Sequence, residues 1–102
     1  MMHTGYEIDQ VFVKAKGVQT EIFCVFVAMT GGLKRETFLY PTRDAKEALR
    51  LLAWQLSGRG DVERLGKVRV RLEQQTHLQD APQLRKHFIH HFRRYQAQDN
   101  DD

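Results

Sequence analysis

The most apolar stretch of the chain, Ile22–Met29, constrains the fold more than any other segment. Both of its alternating sets of side chains are apolar. Because successive side chains of a β-strand point to opposite faces of the sheet, such a strand must be at least partly covered on both faces. Its β-branched and aromatic residues also suit a packed, pleated surface. The sequence therefore predicts a central strand with Cys24 buried in it.

A pair of glycines follows this strand directly. Gly31-Gly32 is typical of a tight hairpin, because glycine tolerates the positive φ that a two-residue turn requires. A two-residue turn would place Val25 opposite Phe38. The partner strand begins with charged residues, which are typical of an edge strand, and we expect it to end at Pro41, since proline cannot donate to the ladder.

The segment before the central strand completes a three-stranded antiparallel meander. In Tyr6–Lys16 the alternation of apolar residues changes phase near Asp9 and Gln10. The change of phase predicts either a bulge at that point or a strand that begins only at Gln10.

Two helices and a fourth strand follow the meander. Thr42–Ser57 is rich in strong helix formers; Asp44 with Glu47 matches a capping box, and Thr42 is a rival cap. A core stripe is predicted to face the sheet from this helix: Ala45, Ala48, Leu49, Leu52, Ala53 and Leu56. Lys67–Glu73 alternates with period two, which predicts a strand whose basic residues face outward. Gln74–Gln79 is predicted to be a polar connector, and the second helix is predicted to run from a cap at Asp80 to about Gln96, with proline in its first turn.

These elements predict an α+β fold with the order βββαβα. The expected sheet has four strands, is mostly antiparallel and has the order 3-2-1-4, with two helices packed on it. We expect residues 1–98 to form a single domain and Asp99–Asp102 to be a disordered acidic tail.

The bulk composition narrows the classes of protein that this chain resembles. It has 102 residues with a net charge of +3 and a pI near 9.2, which is a mild basic excess. One cysteine cannot form an internal disulfide, and the sequence shows neither a secretory signal nor an apolar run of membrane-spanning length. We therefore expect a cytoplasmic protein with no membrane partner, and we identify no small-molecule substrate.

The second predicted helix carries the most informative surface. From Gln83 to Gln96 it has four Lys or Arg residues and three histidines but no carboxylate. Exposed helices usually mix charges of both signs, because opposite charges four residues apart stabilise them. The residues expected on the solvent side are Lys86, His87, His90, His91, Arg93 and Arg94. The pattern predicts binding of a polyanion, with histidines adding charge below about pH 6.5.

The fourth strand extends this interpretation to nucleic acid or a nucleoprotein complex. Lys67, Arg69 and Arg71 point to one face of the predicted strand, and they would form one continuous cationic surface with the helix if the two elements were neighbours. Tyr6 and Tyr95 are the candidates for stacking with unpaired bases.

Two other interpretations of these surfaces stay open. Basic residues near the end of a helix also interact favourably with its dipole, so the cationic surface has a purely solvent-exposed explanation. Leu51 and Trp54 lie opposite the predicted core stripe of the first helix, and an exposed Trp–Leu pair is typical of a protein interface. The alternative function is therefore a protein-interaction module, either a homodimer or an inhibitor or adaptor of a larger assembly.

Catalysis and metal binding have less support in the sequence. His87 and His91 are four residues apart and suit one metal ion, but the residues around them are cationic, so we predict no metal and no cofactor. His77 or His87 is the candidate base for a hydrolase, yet no partner is positioned for it and the chain has no glycine-rich phosphate loop. We therefore predict a binding protein that is not an enzyme.

Overall fold

A computed structural model describes residues 5–11, 24–30, 34–59, 65–74 and 77–99, with only the backbone for 24–30, 34 and 99. Within these ranges the chain forms five strands and two helices. The elements are β1 (Gly5–Val11), β2 (Cys24–Thr30), β3 (Lys34–Tyr40), α1 (Ala45–Ser57), β4 (Lys67–Gln74), β5 (His77–Asp80) and α2 (Pro82–Asp99).

The five strands form one mixed sheet with the order β3-β2-β1-β4-β5. β1 is antiparallel to β2 and parallel to β4, and α1 makes the crossover that a parallel neighbour requires. The predicted α+β class with two helices is confirmed. The order differs from the predicted 3-2-1-4 by the addition of β5 at the edge beside β4.

The segment that forms β5 was wrongly predicted to be a polar connector. All four residues of β5 are exposed, and no apolar alternation marks them as a strand. The strand is formed by backbone pairing with β4, for example between Leu72 and Gln79. Such pairing depends on a neighbouring edge that accepts it, which side-chain patterning does not reveal.

The first strand and the hairpin also differ from their predicted positions. β1 begins at Gly5, so the first half of the predicted segment is the strand, and Phe12–Phe23 lie outside the described residues. In the hairpin Val25 is the partner of Leu39 instead of Phe38. Three residues therefore separate the paired ends of β2 and β3, and this one-residue shift exchanges the faces of the partner strand. The predicted burial of the Cys24 side chain lies outside the described residues.

Both helices pack on the same face of the sheet. The core contains Tyr6 and Ile8 from β1, Val68 and Val70 from β4, and side chains of both helices. Tyr6 is only 2% exposed, and its ring lies 6.0 Å from Phe88 and 5.6 Å from Phe92, measured between ring centroids. Tyr6 is therefore an aromatic core residue, which corrects its prediction as an exposed stacking partner.

α1 begins at Ala45, directly after the predicted cap Asp44, so the rival cap Thr42 lies outside the helix. The Asp44 side chain caps it by accepting a hydrogen bond from the Lys46 amide at 3.0 Å, and the Thr42 hydroxyl accepts one from the Asp44 amide. The buried residues of this helix are five of the six residues of the predicted stripe together with the last residue: Ala48, Leu49, Leu52, Ala53, Leu56 and Ser57. Ala45, in the first turn, is only partly buried.

α2 begins at Pro82, in the first helical position, where the missing amide hydrogen has no helical partner. Asp80 does not cap this helix, because it belongs to β5. The Ala81 carbonyl accepts the first helical hydrogen bond, from the Arg85 amide at 2.9 Å. The helix continues to Asp99, which lies beyond its predicted end at Gln96 and includes the first residue of the predicted tail; residues 100–102 lie outside the described residues.

Candidate functional site

α1 and α2 lie side by side and run in the same direction across the sheet. A ring nitrogen of His87 lies 2.8 Å from the Lys46 carbonyl oxygen, and one turn later Arg50 donates to the Tyr95 hydroxyl at 2.8 Å. Because the carbonyl oxygen only accepts, the His87 nitrogen at this contact carries the proton and donates it. The contacts between the two helices therefore occupy one side of the predicted cationic surface.

The histidines of α2 form a cluster beside this helix contact. The His91 ring lies 4.5 Å from the His87 ring and 5.1 Å from the His90 ring, and it stacks on Tyr95 at 6.1 Å. Burial lowers the pKa of His91, and the neighbouring cationic side chains lower it further. Protonation of His91, at the centre of the cluster, is therefore less favourable than that of a free histidine.

α1 contributes a carboxylate to the same region. Glu47 forms an ion pair with Arg50, and this hydrogen bond lowers the pKa of Glu47, with smaller contributions from His87 and His91. The hydrogen bonds from Arg50 to Glu47 and Tyr95 raise the pKa of Arg50 above its ordinary value. The sequence of α2 contains no acid here, but the fold brings one in from α1, so the inner side of the helix is not purely cationic.

The outer side of α2 keeps the predicted character. Lys86, His90, Arg93 and Arg94 are all exposed. Among the described residues, no ion pair includes Lys86, Arg93 or Arg94. Arg85 is also exposed and adds a fourth permanent charge. Arg85 is not among the predicted surface residues, since on a helical projection it lies close to Phe92 of the apolar side.

We call this surface the outer α2 face, defined by Arg85, Lys86, His90, Arg93 and Arg94. The hydrophobic side of the helix fixes its orientation, since Phe88 is fully buried and Phe92 is 1% exposed. The two phenylalanine side chains anchor α2 over β1, so the basic side chains on the other side of the helix are held facing away from the sheet.

The basic residues of β4 do not join this surface. Val68 and Val70 face the helices, so the alternating residues Lys67, Arg69 and Arg71 face the other side of the sheet. A continuous cationic surface required the basic strand and the basic helix to share one face, which the sequence left open, and the structure places them on opposite sides of the sheet. It depended on which side of β4 the second helix packs against, and the alternation of a single strand does not specify that.

Two of the β4 cations are already paired with acids of β1. Arg71 forms two hydrogen bonds with Asp9, at 2.7 and 3.0 Å, and these raise the pKa of Arg71. Arg69 lies 3.7 Å from Glu7, and both side chains are about half exposed. Asp9 and Glu7 thus neutralise two of the three β4 charges that were predicted to bind nucleic acid.

The predicted protein-interface residues lie on α1. Trp54 is 62% exposed, and Leu51 is partly exposed. Trp54 is therefore not part of the core between the two helices. The candidate hydrolytic bases lie on different elements, His77 on the exposed strand β5 and His87 against α1. No group of three or more metal-binding side chains forms a site within the described ranges.

Comparisons with known proteins add no relative. No protein-family model matches the chain, and neither the curated proteins nor the solved structures give a significant match. Of the helices that the structure describes, neither has the length and apolar character needed to cross a bilayer.

Proposed function

We propose that this protein is a small binding protein that contacts nucleic acid, or a nucleoprotein complex, through the outer α2 face. The observation that supports this proposal is a set of exposed cations on one rigid helix, with no acid paired to Lys86, Arg93 or Arg94 among the described residues. Lys and Arg side chains displayed in this way bind phosphate groups and release the counterions around them.

The chemistry of this surface favours contact with the phosphate backbone rather than with unpaired bases. Tyr95 is partly buried and its hydroxyl is bonded to Arg50, and Tyr6 is in the core. The outer α2 face itself carries no Phe, Tyr or Trp side chain, the residues on which unpaired bases stack most strongly. Duplexes are therefore the preferred partner in this proposal.

A direct binding experiment tests it. We expect a fluorescently labelled duplex to bind the wild-type protein at low salt, and we expect Arg93→Ala/Arg94→Ala to weaken binding by about tenfold or more. The matched control is Arg35→Ala/Lys67→Ala, which removes the same net charge from exposed positions on β3 and β4. The control should bind nearly as well as wild type, and equal losses in both variants would contradict the proposal.

A protein-interaction module is the second candidate function, and the exposure of Trp54 favours it. A tryptophan that is 62% exposed is a common anchor of protein interfaces. Its test is Trp54→Ala, which should retain the fold because the side chain lies outside the core. Loss of a partner or of self-association in this variant, together with unaltered duplex binding, would support the module over the nucleic-acid binder.

A further inference from the structure

The side of the sheet away from the helices has no covering element among the described residues. We call it the open sheet face; it consists of those residues of β1, β3, β4 and β5 that alternate with the core residues. Both helices cover the opposite face, and the sheet is five strands wide. Within the described part of the chain, the open sheet face is therefore a broad surface on which no helix packs.

Two large hydrophobic side chains are exposed on this face. Leu39 on β3 is 60% exposed, and Leu78 on β5 is 38% exposed. Trp54 is the remaining large exposed hydrophobic in the described part of the chain, and it lies on the helical side. Strand register places Leu39 beside Val25, Val25 beside Val11, and Leu78 beside Glu73. The two leucines thus lie at the same end of the open sheet face, one near each edge.

The charges on this face balance each other. Strand alternation and register place four acids and four bases on this face, so its net charge is zero. The acids are Glu7, Asp9, Glu73 and Asp80, and the bases are Arg35, Lys67, Arg69 and Arg71. The outer α2 face, by contrast, is entirely basic. A face with zero net charge does not attract a polyanion. A second surface that also carries both acids and bases can complement it.

The arrangement of charges is self-complementary. β1 and β4 are adjacent, parallel and in a register that pairs Glu7 with Arg69 and Asp9 with Arg71. A two-fold axis parallel to the strands and midway between β1 and β4 places β1 of one protomer over β4 of its partner at the same level. Each acid would then face both its own arginine and an arginine of the second chain.

We propose that a second copy of this chain docks on the open sheet face, forming a face-to-face dimer about this axis. The same rotation places β5 over β2 of the second chain and brings Leu78 of one protomer beside Leu39 of the other. The contact between Leu78 and Leu39 thus forms twice, once at each edge of the dimer. The charged residues of β1 and β4 face those of the second chain in the centre. The two outer α2 faces would point away from each other, which avoids repulsion between them.

The size of this face predicts a weak dimer. Strands about 4.8 Å apart with a rise of about 3.3 Å per residue give a patch on the order of 500 Å² per partner. Standard stable interfaces bury about 800 Å² per partner, so we expect dissociation in the micromolar range or weaker. The association must therefore be measured over a wide range of protein concentration.

Sedimentation equilibrium from micromolar to millimolar concentration provides the first test. We expect wild type to shift from monomer to dimer, and we expect Leu39→Lys/Leu78→Lys to weaken dimerisation by about tenfold or more while its far-ultraviolet circular dichroism stays unchanged. The matched control is Trp54→Lys, the same type of change on the helical side, which should dimerise like wild type. A monomeric wild type at all concentrations, or loss of the dimer only in Trp54→Lys, would overturn the proposal.

A charge-exchange experiment tests the axis itself. Glu7→Arg and Arg69→Glu each place like charges against each other in a homodimer, so each variant alone should dimerise more weakly than wild type. An equimolar mixture restores an attractive pair at both symmetry-related contacts, so mixed dimers should form. If wild type dimerises but the mixture does not associate better than the separate variants, the proposed face or axis is wrong.

Discussion

Gly5 shows how a single residue limits what β1 can tolerate. Its φ is 149°, and a Cβ atom there would lie 2.2 Å from the Lys67 carbonyl oxygen of the paired strand β4. Neither the Cβ atom nor the carbonyl oxygen can move away on its own, because each is bonded directly to the backbone of one of the two paired strands. The glycine is therefore required for β1 and β4 to approach each other at the start of their pairing.

Replacing this glycine should be costly. We expect Gly5→Ala to lower the free energy of unfolding by about 2–4 kcal/mol, measured by urea denaturation, because the strand must shift to make room. Gly58→Ala is the control, since its φ is −78° and the nearest atom to a Cβ lies 3.7 Å away. The control should be neutral or slightly stabilising. Similar losses in the two variants would show that the contact with Lys67 is not the cause.

His91 is the second residue whose environment has a measurable consequence. Burial and the nearby His87, His90, Arg50 and Arg94 lower its pKa in the folded protein. The unfolded chain, where histidine titrates near pH 6.5, therefore binds a proton more readily than the folded one. The stability that His91 contributes is fully present above that pH and is lost as the pH falls toward the lower folded pKa.

This sign predicts a difference between variants. Between about pH 7.5 and 5.5, the free energy of unfolding of wild type should fall more steeply than that of His91→Gln, which cannot take up a proton. His77→Gln, on the exposed strand β5, is the control and should follow wild type. Urea unfolding at a series of pH values measures all three, and identical pH dependence in wild type and His91→Gln would refute the assignment.

At the scale of elements, the sequence predicts those parts that have a strong internal period. The core stripe of α1 is recognisable because its six apolar residues repeat at helical spacing, and all but Ala45 in the first turn are buried. β5 has no such period, because a short edge strand in which every side chain is exposed needs only backbone pairing. The register of β2 and β3 depends on the loop, and one additional loop residue exchanged the faces of β3.

One side of α2 packs in the core, and we propose that the other side binds phosphate. Two adjacent residues, Phe92 and Arg93, lie on these two sides and allow the two roles to be tested separately. We expect Phe92→Ala to lower the free energy of unfolding by about 3–5 kcal/mol, because a fully buried aromatic side chain leaves a cavity beside Tyr6 and Phe88. Arg93→Ala, the next residue, should change it by no more than about 0.5 kcal/mol. Thermal or urea unfolding gives both values; a large loss in Arg93→Ala would mean that this arginine has a structural role.

At the scale of the whole molecule, the two sides of the sheet differ in charge. The helical side carries the unpaired cations of α2, while the open sheet face has equal numbers of acids and bases. The cations of both α2 and β4 are recognisable in the sequence, whereas their placement on opposite sides of the sheet is a property of the fold. The placement depends on which side of the sheet α2 packs against, because Arg69 and Arg71 lie on the side that the helices do not cover.

The central claim is that phosphate binding is located on the outer α2 face, and the salt dependence of duplex binding tests it most directly. The logarithm of the binding constant should fall linearly with the logarithm of the salt concentration, and Arg93→Ala/Arg94→Ala should flatten this slope by about two. Arg35→Ala/Lys67→Ala, with the same net charge, should keep the wild-type slope. No binding by wild type at low salt, or an unchanged slope in the α2 variant, would contradict the claim.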